Sequence, residues 1–151
     1  MSATQPTRFE RRRRIRFGQC DPAGIVFYPQ YFVLFNALVE DWVSDALGIP
    51  YADLLGPRGV GLPTVSLQTD FKAISRMGDE VTLGLQVERL GTRSLTLALS
   101  CLGTDGRERV RARKVLVTTS LHTHQAIDMP RDLRAAIVRF MAAGQAQPIH
   151  P

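Results

Sequence analysis

Residues Pro29–Leu47 read PQYFVLFNALVEDWVSDAL, and the fold turns on this stretch. Pro29 suits the first position of a helix, where its missing N–H is not needed. Phe32, Phe35, Val39, Trp42 and Ala46 recur at alternating steps of three and four, and Leu38 and Val43 broaden the stripe. This spacing predicts an α-helix with one wide apolar face. Gly48 and Pro50 follow as stop signals. The helix would be about 28 Å long, the span of a small domain. Glu40, Asp41 and Asp45 interrupt its apolar run, so it does not read as a membrane span. A helix this apolar must be covered by something.

The cover follows in the sequence. Val65, Leu67 and Phe71 alternate with polar residues, as do Val81, Leu83, Leu85 and Val87, and then Leu95, Leu97, Leu99 and Cys101. A last strand is expected over residues 107–121, and a first one over residues 9–17. Period-two alternation with one apolar face indicates antiparallel strands packed on one side. RMGDE, LGT and GTDG mark the connections. After Pro130, Leu133, Ile137, Val138 and Met141 suggest a short terminal helix. The order predicts an α+β domain, one antiparallel sheet wrapped around one long central helix. Residues 1–7 are expected to be a flexible N-terminal tail and 8–151 a single domain. One helix covers only part of such a sheet, so an oligomer is expected.

Composition narrows the function. The chain has 151 residues and a formal charge of +5, but the excess is local. Six arginines and one glutamate lie in RFERRRRIR, Arg8–Arg16, and outside it thirteen basic and thirteen acidic residues cancel. A run of this kind on a strand is more often a solvated edge that blocks aggregation than a nucleic-acid surface. Cys20 and Cys101 form no ligand cluster, which points to a reducing, cytoplasmic setting. The basic run leads into no apolar leader segment.

Upstream of the helix, Asp21 precedes a proline and Gly24 is free to take positive φ. Helix N-termini carry unpaired N–H groups and partial positive charge, so they stabilise developing anions. A carboxylate beside such donors suits acyl transfer: the donors hold an oxyanion while the carboxylate attacks a carbonyl or deprotonates water. The competing reading is a turn capped by Asp21 and stiffened by Pro22.

CDPAGIVFYPQY, Cys20–Tyr31, and RGVGLPTVSLQTDF, Arg58–Phe71, resemble the 4-hydroxybenzoyl-CoA thioesterase family of hotdog-fold enzymes. The resemblance extends to about Leu121. It implies acyl-CoA as substrate, Asp21 as the catalytic carboxylate and the Tyr28 backbone N–H as the donor that polarises the thioester carbonyl. It also implies dimers or dimers of dimers, a homotetramer in the latter case, with active sites at the dimer interface. Asn36 stands where the 4-hydroxybenzoyl enzymes carry an acid for the ring hydroxyl, and Leu62 where a small polar residue is expected. These departures favour benzoyl-CoA or a substituted relative, with short or medium aliphatic acyl groups as the alternative. Phe27, Tyr31, Asn36, Val60 and Leu62 are the candidate pocket residues. Arg93, Arg76, Arg89 and Lys114 are the candidates for CoA phosphates.

Other chemistries lack their signals. There is no Gly-x-Ser-x-Gly elbow and no Gly-rich phosphate loop. His122 and His124, expected to share a face near the end of the last strand, lack a third ligand, so no metal is expected. A hotdog dehydratase would pair a histidine with its acid, and all three histidines lie in the last thirty residues. No organic cofactor is needed. A non-catalytic acyl-CoA sensor, or a scaffold binding RNA through Arg11–Arg14, are the readings from other classes.

Overall fold

The computed structural model describes residues 7–144. The expected tail over residues 1–7 therefore falls, apart from Thr7, outside the described residues. Strand β1 (Phe9–Arg14) leads through a 3-10 turn at Phe17–Gln19 to helix α1 (Pro29–Asp41), which continues as a π-helical segment over Trp42–Ala46. After α2 (Tyr51–Leu55) come β2 (Val60–Gly61), β3 (Thr64–Phe71), β4 (Glu80–Leu90), β5 (Ser94–Leu102), β6 (Glu108–Val117), β7 (Thr119–Ser120) and α3 (Arg131–Ala143). Five strands form one antiparallel sheet in the order β1-β4-β5-β6-β3, and β2 pairs with β7 separately. This is the hotdog arrangement that the resemblance implies.

The core lies between sheet and helix. Leu83, Leu85, Leu97, Leu99 and Cys101 on β4 and β5 are buried against Phe35, Leu38, Trp42 and Val43 of the helix. The helical face is rotated from the one expected. Tyr31, Leu34, Phe35, Leu38 and Val39 are buried, Phe32 is only half-buried and Ala46 is exposed. The π-helical segment explains the far end: Leu47 N–H reaches back five residues to Trp42 O at 3.0 Å, which adds a residue to the turn and buries Leu47 in place of Ala46. Trp42 also stacks edge-on against Phe140 of α3, with ring centroids 5.5 Å apart.

The sheet edges depart from expectation in informative ways. The strand expected at 9–17 ends at Arg14, and the one at 107–121 breaks at Thr118, whose hydroxyl donates to Ile127 O at 2.6 Å. His122 and His124 lie beyond β7 in a turn, with His124 at φ 57°, and share no strand face. On β3 the alternation does not give burial. Val65, Leu67 and Phe71 are 60%, 40% and 49% exposed, because β3 is an edge strand that the helix does not cover. At the opposite edge, the arginine run is held by the helix: Arg13 pairs with Asp41 at 2.7 Å and Arg11 with Asp45 at 3.1 Å. Arginines with carboxylate partners on their own domain are a poor footprint for RNA.

Candidate active site

The segment before α1 is a small hairpin. Cys20 bridges Val26, and Ile25 bridges Arg76 in the β3–β4 connection. Asp21 N–H donates to Ile25 O and Gly24 N–H to Asp21 O, both at 2.9 Å. Gly24 sits at φ 76°, a conformation that favours glycine. Asp21 Oδ1 accepts the Ala23 N–H at 2.9 Å. Oδ2 has no hydrogen-bond partner among the described residues. One oxygen of Asp21 thus caps the turn, as the competing reading expects, and the other is left without a partner among the described residues.

Three contacts fix this hairpin to the domain. Phe27 N–H donates to Gln19 O, Val26 N–H to Ser75 O and Met77 N–H to Gly24 O, each at 3.0 Å. Ser75 is almost fully buried, and its hydroxyl accepts from Arg109 Nη1 at 3.2 Å; the same nitrogen meets Asp79 Oδ2 at 2.8 Å. The Arg76 backbone N–H, and then Arg109, hold the Asp79 carboxyl below its usual range. No local pattern announces this support, because Ser75, Asp79 and Arg109 are brought together only by the sheet.

Tyr28 is the N-cap of α1, and Pro29 is the first helical residue. The Tyr28 N–H has no acceptor among the described residues. Gln19, Asp21, Pro22, Phe27 and Gln30 line a depression of about 270 Å³ at this point. The aromatic rings continue away from it: Tyr28, Tyr31 and Phe32 all pack against Phe71, with centroids 5.9, 6.1 and 6.3 Å apart.

A second cavity of about 410 Å³ lies further along the helix, lined by Asn36, Glu40, Tyr51, Leu62, Thr64 and Lys114 among others. Asn36 and Leu62, two of the candidate pocket residues, meet here. Of the remaining three, Phe27 belongs to the first cavity. Tyr31 is buried, and desolvation pushes its phenol up. Val60 pairs with Ser120 in the small sheet, faces the core, and lines neither of these cavities.

The four candidates for CoA phosphates do not converge within one chain. Arg76 adjoins the Asp21 hairpin. Arg89, near the far end of β4, is about 30 Å along the strand from its start, and Arg93 in the following turn is bonded through Nε to Asp128 Oδ1 at 2.8 Å. Lys114 is not a surface charge: it is 6% exposed and donates to Asn36 Oδ1. Its place in the inward row Val110, Ala112, Lys114, Leu116 was readable from period-two alternation. Cys101 is buried in the core, and burial pushes its thiol up to about 11.

Comparison with known proteins agrees with this geometry. The family model of the thioesterase-like superfamily matches residues 15–137, a span that includes both cavities. The 4-hydroxybenzoyl-CoA thioesterase of Pseudomonas sp. (strain CBS-3) is 34% identical over 73 residues, 48% of this chain and 52% of that protein. The 1,4-dihydroxy-2-naphthoyl-CoA hydrolase of Synechococcus elongatus is 33% identical over 84 residues, 55% of this chain and 61% of that one. The chain thus spans between half and two thirds of the length of these curated relatives. A gentisyl-coenzyme A thioesterase of known structure superposes with a TM-score of 0.78 at 26% identity, covering 85% of this chain and 99% of that one. From residue 15 to residue 137, through the hairpin, the helix and the sheet, this chain belongs to the thioesterase-like superfamily.

Proposed function

We propose that the protein is an acyl-CoA thioesterase that releases CoA and a free acid, with aromatic acyl groups as the preferred class. The observation that carries this reading is a carboxylate with an open oxygen in the wall of one cavity, together with a helix-start N–H that lacks an acceptor and lies in the chain between Phe27 and Gln30, which line that cavity. Thioester hydrolysis needs both. The Tyr28 N–H would stabilise the oxyanion. Asp21 would either attack the carbonyl, expelling CoA thiolate and leaving an anhydride that water opens, or deprotonate the attacking water. The rings of Phe27, Tyr28 and Phe71 beside the cavity support an aromatic acyl group over an aliphatic one. The relatives named for 4-hydroxybenzoyl-CoA, 1,4-dihydroxy-2-naphthoyl-CoA and gentisyl-CoA point the same way. Neither a metal nor an organic cofactor is required by this scheme.

The exposed apolar edge β3, beside the site, supports a homodimer that covers it, and a homotetramer as a dimer of dimers. Among the described residues no helix is long and apolar enough to cross a membrane, and a cytoplasmic location is part of the proposal. The test is release of free thiol from a panel of aromatic and aliphatic acyl-CoAs. Asp21→Asn keeps an oxygen for the Ala23 N–H but loses the anion. Its turnover should fall on the order of a hundred- to ten-thousandfold with the fold intact. Wild-type-like turnover in that variant would remove Asp21 from the chemistry. Acyl-CoA binding with no turnover in the wild type would favour a sensor.

A further inference from the structure

The cavity around Asn36 holds a buried lysine with no carboxylate against it. Lys114 lies on the inward face of β6, and among the described residues its ammonium has one hydrogen-bond partner, the side-chain oxygen of Asn36. An ammonium has three donors, so two remain for something else. Glu40, the one carboxylate lining this cavity, is exposed and forms no ion pair among the described residues. The other polar groups around the space are donors or can act as donors: the Asn36 amide, the Tyr51 hydroxyl and the Thr64 hydroxyl. Tyr51 keeps its proton, because burial, and then the charge of Glu40, push its phenol up.

The cavity is in line with the reacting centre. In the β3–β6 ladder Leu67 is opposite Lys114, Thr69 opposite Ala112 and Phe71 opposite Val110, and residues opposite one another in an antiparallel pair share a face. Phe71, Thr69 and Leu67 therefore form one wall from the Tyr28 ring to Lys114. Thr69 Oγ1, in the middle of that wall, is buried and unpartnered among the described residues. The rise from Tyr28 to Asn36 along the helix is about 12 Å, which accommodates one aromatic ring with a hydrogen bond at each end. A neutral aryl group would leave the ammonium facing an apolar edge, at a desolvation cost that an anion would offset.

We propose that Lys114, oriented by Asn36, is a specificity-determining residue that selects acyl-CoAs whose acyl group ends in an anionic oxygen, such as a ring carboxylate. This rests on the thioesterase reading and deepens it. The wild-type protein should hydrolyse 4-carboxybenzoyl-CoA or 3-carboxybenzoyl-CoA with a kcat/KM on the order of tenfold to a hundredfold above that for benzoyl-CoA. That ratio should fall at least tenfold in Lys114→Met and in Asn36→Asp, which sets a competing carboxylate beside the ammonium, and Lys114→Arg should restore part of it.

A wild-type ratio at or below one, or a ratio unchanged by Lys114→Met, overturns the proposal. If a variant fails to fold, the wild-type ratio decides alone. Thermal shift with free terephthalate against benzoate separates this inference from the thioesterase reading. Stabilisation of the wild type by the diacid only, on a protein that hydrolyses no thioester, keeps the anion site and sinks the enzyme. Hydrolysis without preference, and no selective shift, keeps the enzyme and sinks the site.

Discussion

Asp21 caps its turn with one carboxylate oxygen and leaves the other free for the chemistry proposed above. Tyr28 divides in the same way: the ring packs on Phe71, while the proposed catalytic group is the backbone N–H. The two are separable. Tyr28→Phe should leave kcat within about threefold. Tyr28→Pro keeps a helical φ, since Tyr28 already sits at −52°, but removes the donor, and should lower kcat on the order of a hundredfold, the usual worth of one oxyanion donor. Thiol-release kinetics on the two variants, with Tyr28→Ala as a control for the lost ring, check this; equal losses in Tyr28→Ala and Tyr28→Pro would assign the effect to the ring, and equal losses in all three to the hydroxyl.

Lys114 makes a prediction about pH. Desolvation holds its ammonium below the usual 10.5, so in the interval between its folded pKa and 10.5 the unfolded chain binds more protons than the folded one. Stability should therefore rise with pH through that alkaline window, and the cost of burying the charge is fully present below it. Lys114→Met removes the cost. Denaturant melts at stepped pH should show the variant gaining most on wild type near neutrality and the gain shrinking as pH climbs; a gain that does not change with pH would mean that the lysine is buried without penalty.

At the scale of elements, Arg109 on β6 is the strut that ties the β3–β4 connection to the Asp21 hairpin. Its guanidinium meets Ser75 and Asp79, and the Ser75 carbonyl holds Val26. Arg109→Met should cost about 1–3 kcal/mol, the range for a partly buried charged hydrogen bond, and should lower kcat more than it raises KM, since it moves the carboxylate and not the acyl cavity. The Asp79 carboxyl, held below its usual range, contributes stability above pH about 4 that is lost as pH falls through its folded pKa. Acid melts of Asp79→Asn should accordingly converge with wild type at low pH.

This support shows where sequence reading stops. The helix start at Pro29, the Gly24 turn and strands β4 and β5 were legible, because each is set by local pattern: a proline, a glycine at positive φ and runs of alternating leucines. The same pattern on β3 was legible as a strand but not as an edge, since exposure depends on which strand lies beside it. The exchange of Leu47 for Ala46 at the far end of the helical face came from a π-helical segment that no residue announces. The partners of the arginines, Asp41 and Asp45, are nearly thirty residues or more from them, so the run read as an excess of charge when two of its members are ties to the helix. The burial of Lys114 was legible: its inward register in the row Val110, Ala112, Lys114, Leu116 was there to be counted.

For the whole molecule, the arrangement of sheet and helix leaves one edge unfinished. β1 ends the sheet with paired arginines, a charged margin that discourages strand pairing. β3 ends it with Val65, Leu67 and Phe71 exposed, and Phe27 and Tyr28 before α1 are exposed too, an apolar strip that takes in the aromatics next to the Asp21 hairpin. A monomer with such an edge would be prone to aggregate. A second copy that covers β3 would bury the strip and close the open side of the Asp21 depression. Val65→Lys places a charge on that strip and touches neither Asp21 nor Lys114 among the contacts described. Light scattering on a sizing column should find the wild type as a dimer or larger and the variant shifted toward monomer, with thioesterase turnover falling in proportion to the monomer fraction. Turnover that persists in a demonstrably monomeric variant would place the complete site within one chain and leave oligomerisation to stability alone.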